Sequence, residues 1–154
     1  MTDRTFDIYE FSGFTNGQLA ICPEPASDDS FEKVAQWNAD IIVTMITVEE
    51  FARDDFSAKI THATPQWIQA AVSDFGIPEN DFGAVIDRLL AVLQTDGRIL
   101  IHCKGGQGRS GMMAMRLLVE QGEPAIDALA RIRRVRPNAV ETIQQEQWAS
   151  QHSK

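Results

Sequence analysis

The stretch that most constrains this chain runs from Arg98 to Gly111, RILIHC followed by KGGQGRSG. Aliphatic residues lead into Cys103, three glycines (Gly105, Gly106 and Gly108) follow within five positions, and the helical pattern MMAMRLLVEQ comes next. A short apolar run bounded in this way reads as a strand covered on both faces. Glycines let the chain curl tightly after it, because they adopt backbone angles closed to other residues. In such a curl successive backbone N–H groups point inward, and the following helix adds its partial positive charge. That arrangement stabilises a thiolate and binds an oxyanion. Arg109 stands six positions after Cys103, so the loop between them can close around one tetrahedral anion. Its planar fork holds two oxygens at once. Ser110 can donate to the sulfur. Lys104, Gly105, Gly106, Gln107 and Gly108 would supply amides to the anion, and Lys104 would add positive potential. His102 reads as a brace for the loop.

The signature His-Cys-x5-Arg-Ser, present as HCKGGQGRS over 102–110, resembles that of the protein-tyrosine and dual-specificity phosphatases. Within that superfamily it is most similar to the kinase-associated phosphatase group and its bacterial relatives. RIRRVRPNAVETIQQEQW resembles the family's Arg-x-x-Arg-Pro-x-x-x-x-Thr-x-x-Gln tail, and IIVTMITVEEF the strand and helix that precede the catalytic region. The resemblance implies an α/β, three-layer fold with a central, mostly parallel sheet of four or five strands flanked by helices. It also implies metal-independent phosphomonoester hydrolysis through a phosphocysteine, with Cys103 as nucleophile, Arg109 as clamp and no cofactor. The substrate would be a phosphorylated protein or a small phosphomonoester. The family's general acid is an aspartate on a mobile loop; Asp74, in VSDFGIPEN, is the best match and Asp81 the reserve. Ser73 departs from the family's usual proline. Glu141 stands where many tyrosine phosphatases carry a water-positioning glutamine and does not inherit that role, and Gln145 matches the tail glutamine. Rival readings on the same loop are a phosphoinositide or small-metabolite phosphatase, a phosphate-binding module without turnover, and an arsenate reductase.

The remaining features narrow the field. At 154 residues one domain, 1–154, is expected. The net charge of −8 opposes nucleic acid and anionic membranes. A cytoplasmic monomer is the default, since no apolar run approaches the ~20 residues of a span and the polar start lacks the pattern of a signal peptide. His62, His102 and His152 have no metal-site spacing. Gly106, Gly108 and Gly111 fit a dinucleotide fingerprint, yet EPAIDALARIRRVRP, where a second strand and its acid belong, is helical and basic. Cys22, the second of two cysteines, reads as packing, with a reversible disulfide to Cys103 as the alternative.

Elsewhere the pattern predicts strands over 6–11, 18–22, 41–46 and 66–72. Predicted helices pass through Phe31, Val34 and Trp37, capped by Asp28, Asp29 or Ser30, and through VEEFARD behind Thr47 with Glu50 in the capping-box place. Others cover 81–94, 109–121, 124–136 and 140–150. The arginines at 131, 133, 134 and 136 read as complements to a helix dipole and to the chain's acids.

Overall fold

The computed structural model describes residues 6–152. The first five residues of the polar amino-terminal stretch lie outside that range. Five strands, β1 (Tyr9–Ser12), β2 (Gln18–Cys22), β3 (Ile41–Thr44), β4 (Gln66–Gln69) and β5 (Arg98–His102), form one sheet in the order β1-β2-β5-β3-β4. Four run parallel, and β1 joins the edge antiparallel to β2. The turn between them passes through Gly17 at φ 81°, the left-handed region that glycine enters without strain.

Successive strand residues point to opposite faces, so each strand feeds two cores. On one face Ala20, Cys22, Ile42 and Leu100 meet α1 (Asp28–Trp37) and α2 (Phe56–His62). On the other, Leu19, Ile41, Val43, Ile99 and Ile101 meet α3 (Gly83–Gln94), α4 (Gly108–Glu120), α5 (Ala125–Val135) and α6 (Ile143–Ala149). This is the expected three-layer α/β fold. Helix α4 is buried from Gly108 to Val119, because the sheet and neighbouring helices cover it on every side.

Several boundaries differ from expectation. Strand β1 begins at Tyr9 rather than Phe6, and β3 ends at Thr44. Helix α1 is capped by Ser27, not by the residues after it: Ser27 Oγ accepts from the Ser30 amide at 3.1 Å while Ser30 Oγ accepts from the Ser27 amide at 2.9 Å. Behind Thr47 the chain makes only a short 3₁₀ turn, Val48–Glu50, with Phe51 leaving it in an extended conformation. Helix α2, absent from the sequence reading, fills the space beyond. Strand β4 stops at Gln69, yet Ala70 and Val72 still donate to the carbonyls of Thr44 and Met45. The chain after β4 is thus led along the carboxyl end of β3.

The parallel register sets Cys22 and Thr44 on either side of His102 at the carboxyl edge. In open α/β sheets that edge is where ligands bind. Ile101 on central β5 is fully buried. Ile101→Ala should lower unfolding free energy by about 2–5 kcal/mol, read as a shifted denaturation midpoint at unchanged slope.

Candidate active site

Strand β5 ends at His102, Cys103 follows, and α4 starts at Gly108. The four residues between them, 104–107, have their carbonyls taken up outside the curl. Lys104 O accepts from the Glu24 amide at 3.1 Å. Gly105 O and Gly106 O accept from Arg136 Nη2 and Nε at 3.0 and 3.2 Å. Gln107 O accepts from the amides of Gly111 at 3.2 Å and Val140 at 3.0 Å. A peptide plane carries its N–H opposite its carbonyl, so these bonds turn the intervening amides the other way. Among the described residues, the amides of 104–109 have no hydrogen-bond acceptor. Unpaired amides beside a helix start make an anion nest. Gly106 is required for the curl: its φ is +70°, and an added Cβ would meet Pro23 N at 2.5 Å.

Arg109 and Ser110 belong to the first turn of α4. Ser110 Oγ lies 3.2 Å from Cys103 Sγ, and both residues are buried at the base of the cup. Arg109 is 2% exposed and tightly held. Its Nη1 donates to Glu50 Oε1 at 2.9 Å and to Val72 O at 2.8 Å, while Nη2 donates to Glu50 Oε2 at 3.0 Å. These bonds occupy the end of the fork and leave the Nε–Nη2 edge, where two parallel N–H groups can face an oxyanion. Asp74 Oδ1 lies 3.3 Å from Nη2 on this arginine. The hydrogen bond from Arg109 holds the Glu50 carboxyl down at about 2, so it is charged at every physiological pH. Burial opposes the Arg109 charge, but Glu50, Cys103 and Asp74 together leave its pKa above the ordinary value.

Behind the loop, His102 is buried against Phe56, with ring centroids 5.4 Å apart. Burial lowers its pKa to about 4, so the ring is neutral near pH 7. Its tautomer follows from its partners. Nδ1 lies 3.2 Å from Cys103 O, which only accepts, so Nδ1 carries the proton. Nε2 then accepts from Thr44 Oγ1 at 2.6 Å, and Thr44 Oγ1 accepts from Trp67 Nε1 at 2.7 Å. The chain Trp67–Thr44–His102 ends on the carbonyl of Cys103. The His102 ring is thus bonded on both sides, and Trp67 begins the chain of bonds that holds it.

Residues 9–149 match the family model described as "Swiss Army Knife protein, DSP-PTPase phosphatase domain". The chain belongs to the dual-specificity and protein-tyrosine phosphatase family. A protein of Invertebrate iridescent virus 3 named as a tyrosine phosphatase is 30% identical over 94 residues, covering 54% of this chain and 39% of that protein. This chain thus matches about two fifths of that relative. Kinase associated phosphatase superposes with a TM-score of 0.78 at 20% identity, covering 96% of this chain and 94% of its own. Tk-PTP in its active form gives 0.74 at 25% identity, covering 89% and 92%. PTPMT1 in complex with PI(5)P gives 0.71 at 15% identity, covering 92% of each chain.

The phosphatase domain uses residues that the signature alone does not reveal. Glu50 shows in the sequence as a helix-capping acid, and it does accept from the Thr47 amide at 3.0 Å, but its grip on Arg109 depends on a pairing 59 residues apart. Arg136 reads as a dipole partner, yet it orients the loop and stacks on Tyr9 at 4.3 Å. Arg133 donates to the carbonyls of Ala139 and Val140, fixing the segment that reaches Gln107. Gln145, buried at the start of α6, donates from Nε2 to Gly76 O at 3.1 Å and so anchors the Asp74 loop. The Glu141 carboxylate lies where a Cβ on Gly108 would stand. Burial, then the charge of Asp74, raises its pKa. Other candidates lie apart from the fork. Asp81 accepts from the Gly83 amide at 2.8 Å at the start of α3. The Lys104 ammonium, expected to add charge to the cup, donates instead to buried Glu24 at 2.7 Å and to Glu50 O. Cys22 and Cys103 are both free thiols and belong to separate cores on opposite sheet faces; burial pushes the Cys22 thiol well up.

The lowered His102 pKa has a defined sign. Between pH 6.5 and about 4 the unfolded chain binds the extra proton, so this stabilisation is complete above 6.5 and is lost on acidification. Its order is roughly 3 kcal/mol. Nitrogen NMR of the ring should show a neutral Nδ1–H tautomer from pH 8 down to about pH 4.5, with falling stability below 6.5.

Proposed function

We propose that this phosphatase domain hydrolyses phosphomonoesters in two displacements at Cys103, acting as a protein tyrosine or dual-specificity phosphatase. The observation that carries the reading is the ring of unpaired amides over 104–109 beside the Arg109 fork, whose Nη2 also meets Asp74 at 3.3 Å, with buried Cys103 at its base. A phosphoryl group seated there has its three equatorial oxygens met by donors fixed before it arrives, the arrangement that favours a transition state over a ground state. The replacement of a catalytic-site cysteine by serine in the kinase associated phosphatase structure is in keeping with this assignment.

In the first displacement the thiolate attacks phosphorus, the S–P bond forms and the P–O bond to the alcohol breaks. Asp74, enlisted from its place beside Arg109, gives its proton to the departing oxygen. In the second, Asp74 takes a proton from water, the water oxygen attacks phosphorus, and the S–P bond breaks to return the thiolate. The Ser110 hydroxyl, 3.2 Å away, donates to that thiolate as it leaves. His102 touches no substrate and positions Cys103 through its carbonyl. Glu50 positions Arg109, and Gln145 positions the acid loop. The reading places the domain in a reducing compartment such as the cytoplasm, in keeping with two free thiols.

Cys103→Ser should abolish turnover of p-nitrophenyl phosphate in EDTA, and activity equal to the parent would end this mechanism. Asp74→Asn should cost roughly 10²–10⁴-fold for alkyl phosphates and less for p-nitrophenyl phosphate, whose alcohol leaves without a proton; uniform loss across esters would place the acid elsewhere. Glu50→Gln should raise KM for phosphate esters and weaken inorganic phosphate as an inhibitor by about tenfold or more, because the guanidinium loses its charged anchor.

A further inference from the structure

Six large apolar side chains stand exposed among the described residues, and their distribution is uneven. Phe14 and Ile126 lie on other segments, the β1–β2 turn and α5. The other four sit on the three segments beside the cup. Val48, 59% exposed, is on the turn that carries Glu50. Phe75 and Ile77, 59% and 38% exposed, follow Asp74 on the acid loop. Ile143, 72% exposed, opens α6 between Glu141 and Gln145. These segments are bound to one another: Glu50 and Asp74 meet on Arg109, and Gln145 holds Gly76. Apolar side chains gathered around a polar site mark an interaction surface.

The charges on the same three segments are all of one sign. TVEE, SDFGIPEND and ETIQQ contain no Lys, Arg or His, and Glu49, Asp74, Glu79, Asp81 and Glu141 are exposed on them. The nearest cations are engaged elsewhere. Lys104 is paired with Glu24, and Arg136 and Arg133 are turned onto backbone carbonyls. The three segments beside the cup therefore carry exposed apolar tips and carboxylates together, a collar next to the loop amides and Arg109.

We propose that this collar selects a phosphorylated peptide segment whose phosphoresidue is flanked by apolar and basic side chains, and that it turns away substrates bearing further negative charge; the inference rests on the phosphatase reading above. A second phosphate or an acidic neighbour would lie against Asp74, Glu141 and Glu49, while Lys104 is already paired with Glu24. An anionic lipid surface would satisfy the apolar tips, but it would meet the same carboxylates and a chain of net charge −8. A peptide with leucine and arginine beside its phosphotyrosine complements both the collar and the charge.

The test compares kcat/KM for two phosphotyrosyl peptides of equal length, one flanked by Leu and Arg and one by Asp and Glu, with a short-chain phosphatidylinositol monophosphate as a third substrate. The first peptide should lead the second by about tenfold at low salt, and the lead should shrink as ionic strength rises from roughly 0.05 to 0.5 M. Glu141→Gln should narrow it by about threefold, and Val48→Ser with Ile143→Ser should lower kcat/KM for the Leu-flanked peptide about fivefold. Binding of both peptides to Cys103→Ser by titration ranks them without turnover. Equal or reversed peptide preference, or faster hydrolysis of the lipid, overturns the proposal. Cys103-dependent p-nitrophenyl phosphate turnover in the same preparation would leave the phosphatase reading standing in that case, whereas its loss would overturn that reading instead.

Discussion

The site depends on four backbone carbonyls being held outside a loop. Lys104, Gly105, Gly106 and Gln107 each present a carbonyl to a donor from another part of the chain: the Glu24 amide, Arg136 twice, and the amides of Gly111 and Val140. Peptide planarity does the rest, because fixing one edge of each plane fixes the other. The result is a set of donors aimed before any anion arrives, which lowers the reorganisation that a phosphoryl transfer would otherwise require. Arg136 contributes most visibly, since its charge, its stacking on Tyr9 and its bond to the Tyr9 hydroxyl, 3.0 Å from Nη1, are all committed to the outer side of the loop.

Burying a guanidinium is costly unless its donors are satisfied. Glu50 meets that requirement in a way that also shapes function. It takes the Nη1–Nη2 end of the fork, together with Val72 O, and so leaves Nε and one Nη2 hydrogen outside its grip. The acid loop is coupled to the same arginine through Asp74 and to the carboxyl-terminal helix through Gln145. Arg109, the Asp74 loop and the carboxyl-terminal helix thus form one connected network. With the neutral His102 bonded through Thr44 to Trp67, no buried side-chain polar atom among the described residues is left unpaired, where an orphaned group would be expensive.

Much of the architecture was legible because its signals are local and periodic. QLAIC became β2 and RILIH became β5 within a residue of expectation, and the helical repeat over 81–94 became α3. VEEFARD reads as a helix but makes only a short turn, since the Thr47–Glu50 spacing carries a capping box whether a helix or a single 3₁₀ turn follows. Its acid was spent on Arg109 instead. Residues 27–30 offer four acids and serines of the same capping chemistry in a row, and the Ser30 return bond selects Ser27 among them.

The sequence by itself determined the loop and one of its contacts: a strand end, a glycine curl and a helix start bring Cys103 and Ser110 together, seven residues apart. Its composition also determined that the chain as a whole is acidic. Only the tertiary structure decided which of its carboxylates meet Arg109, that Lys104 pairs with Glu24, and that Arg136 holds the loop carbonyls. The physical reason is one of range. Short-range periodicity is written in neighbouring residues, whereas a charge's partner is chosen by how strands and helices many residues apart come to lie side by side.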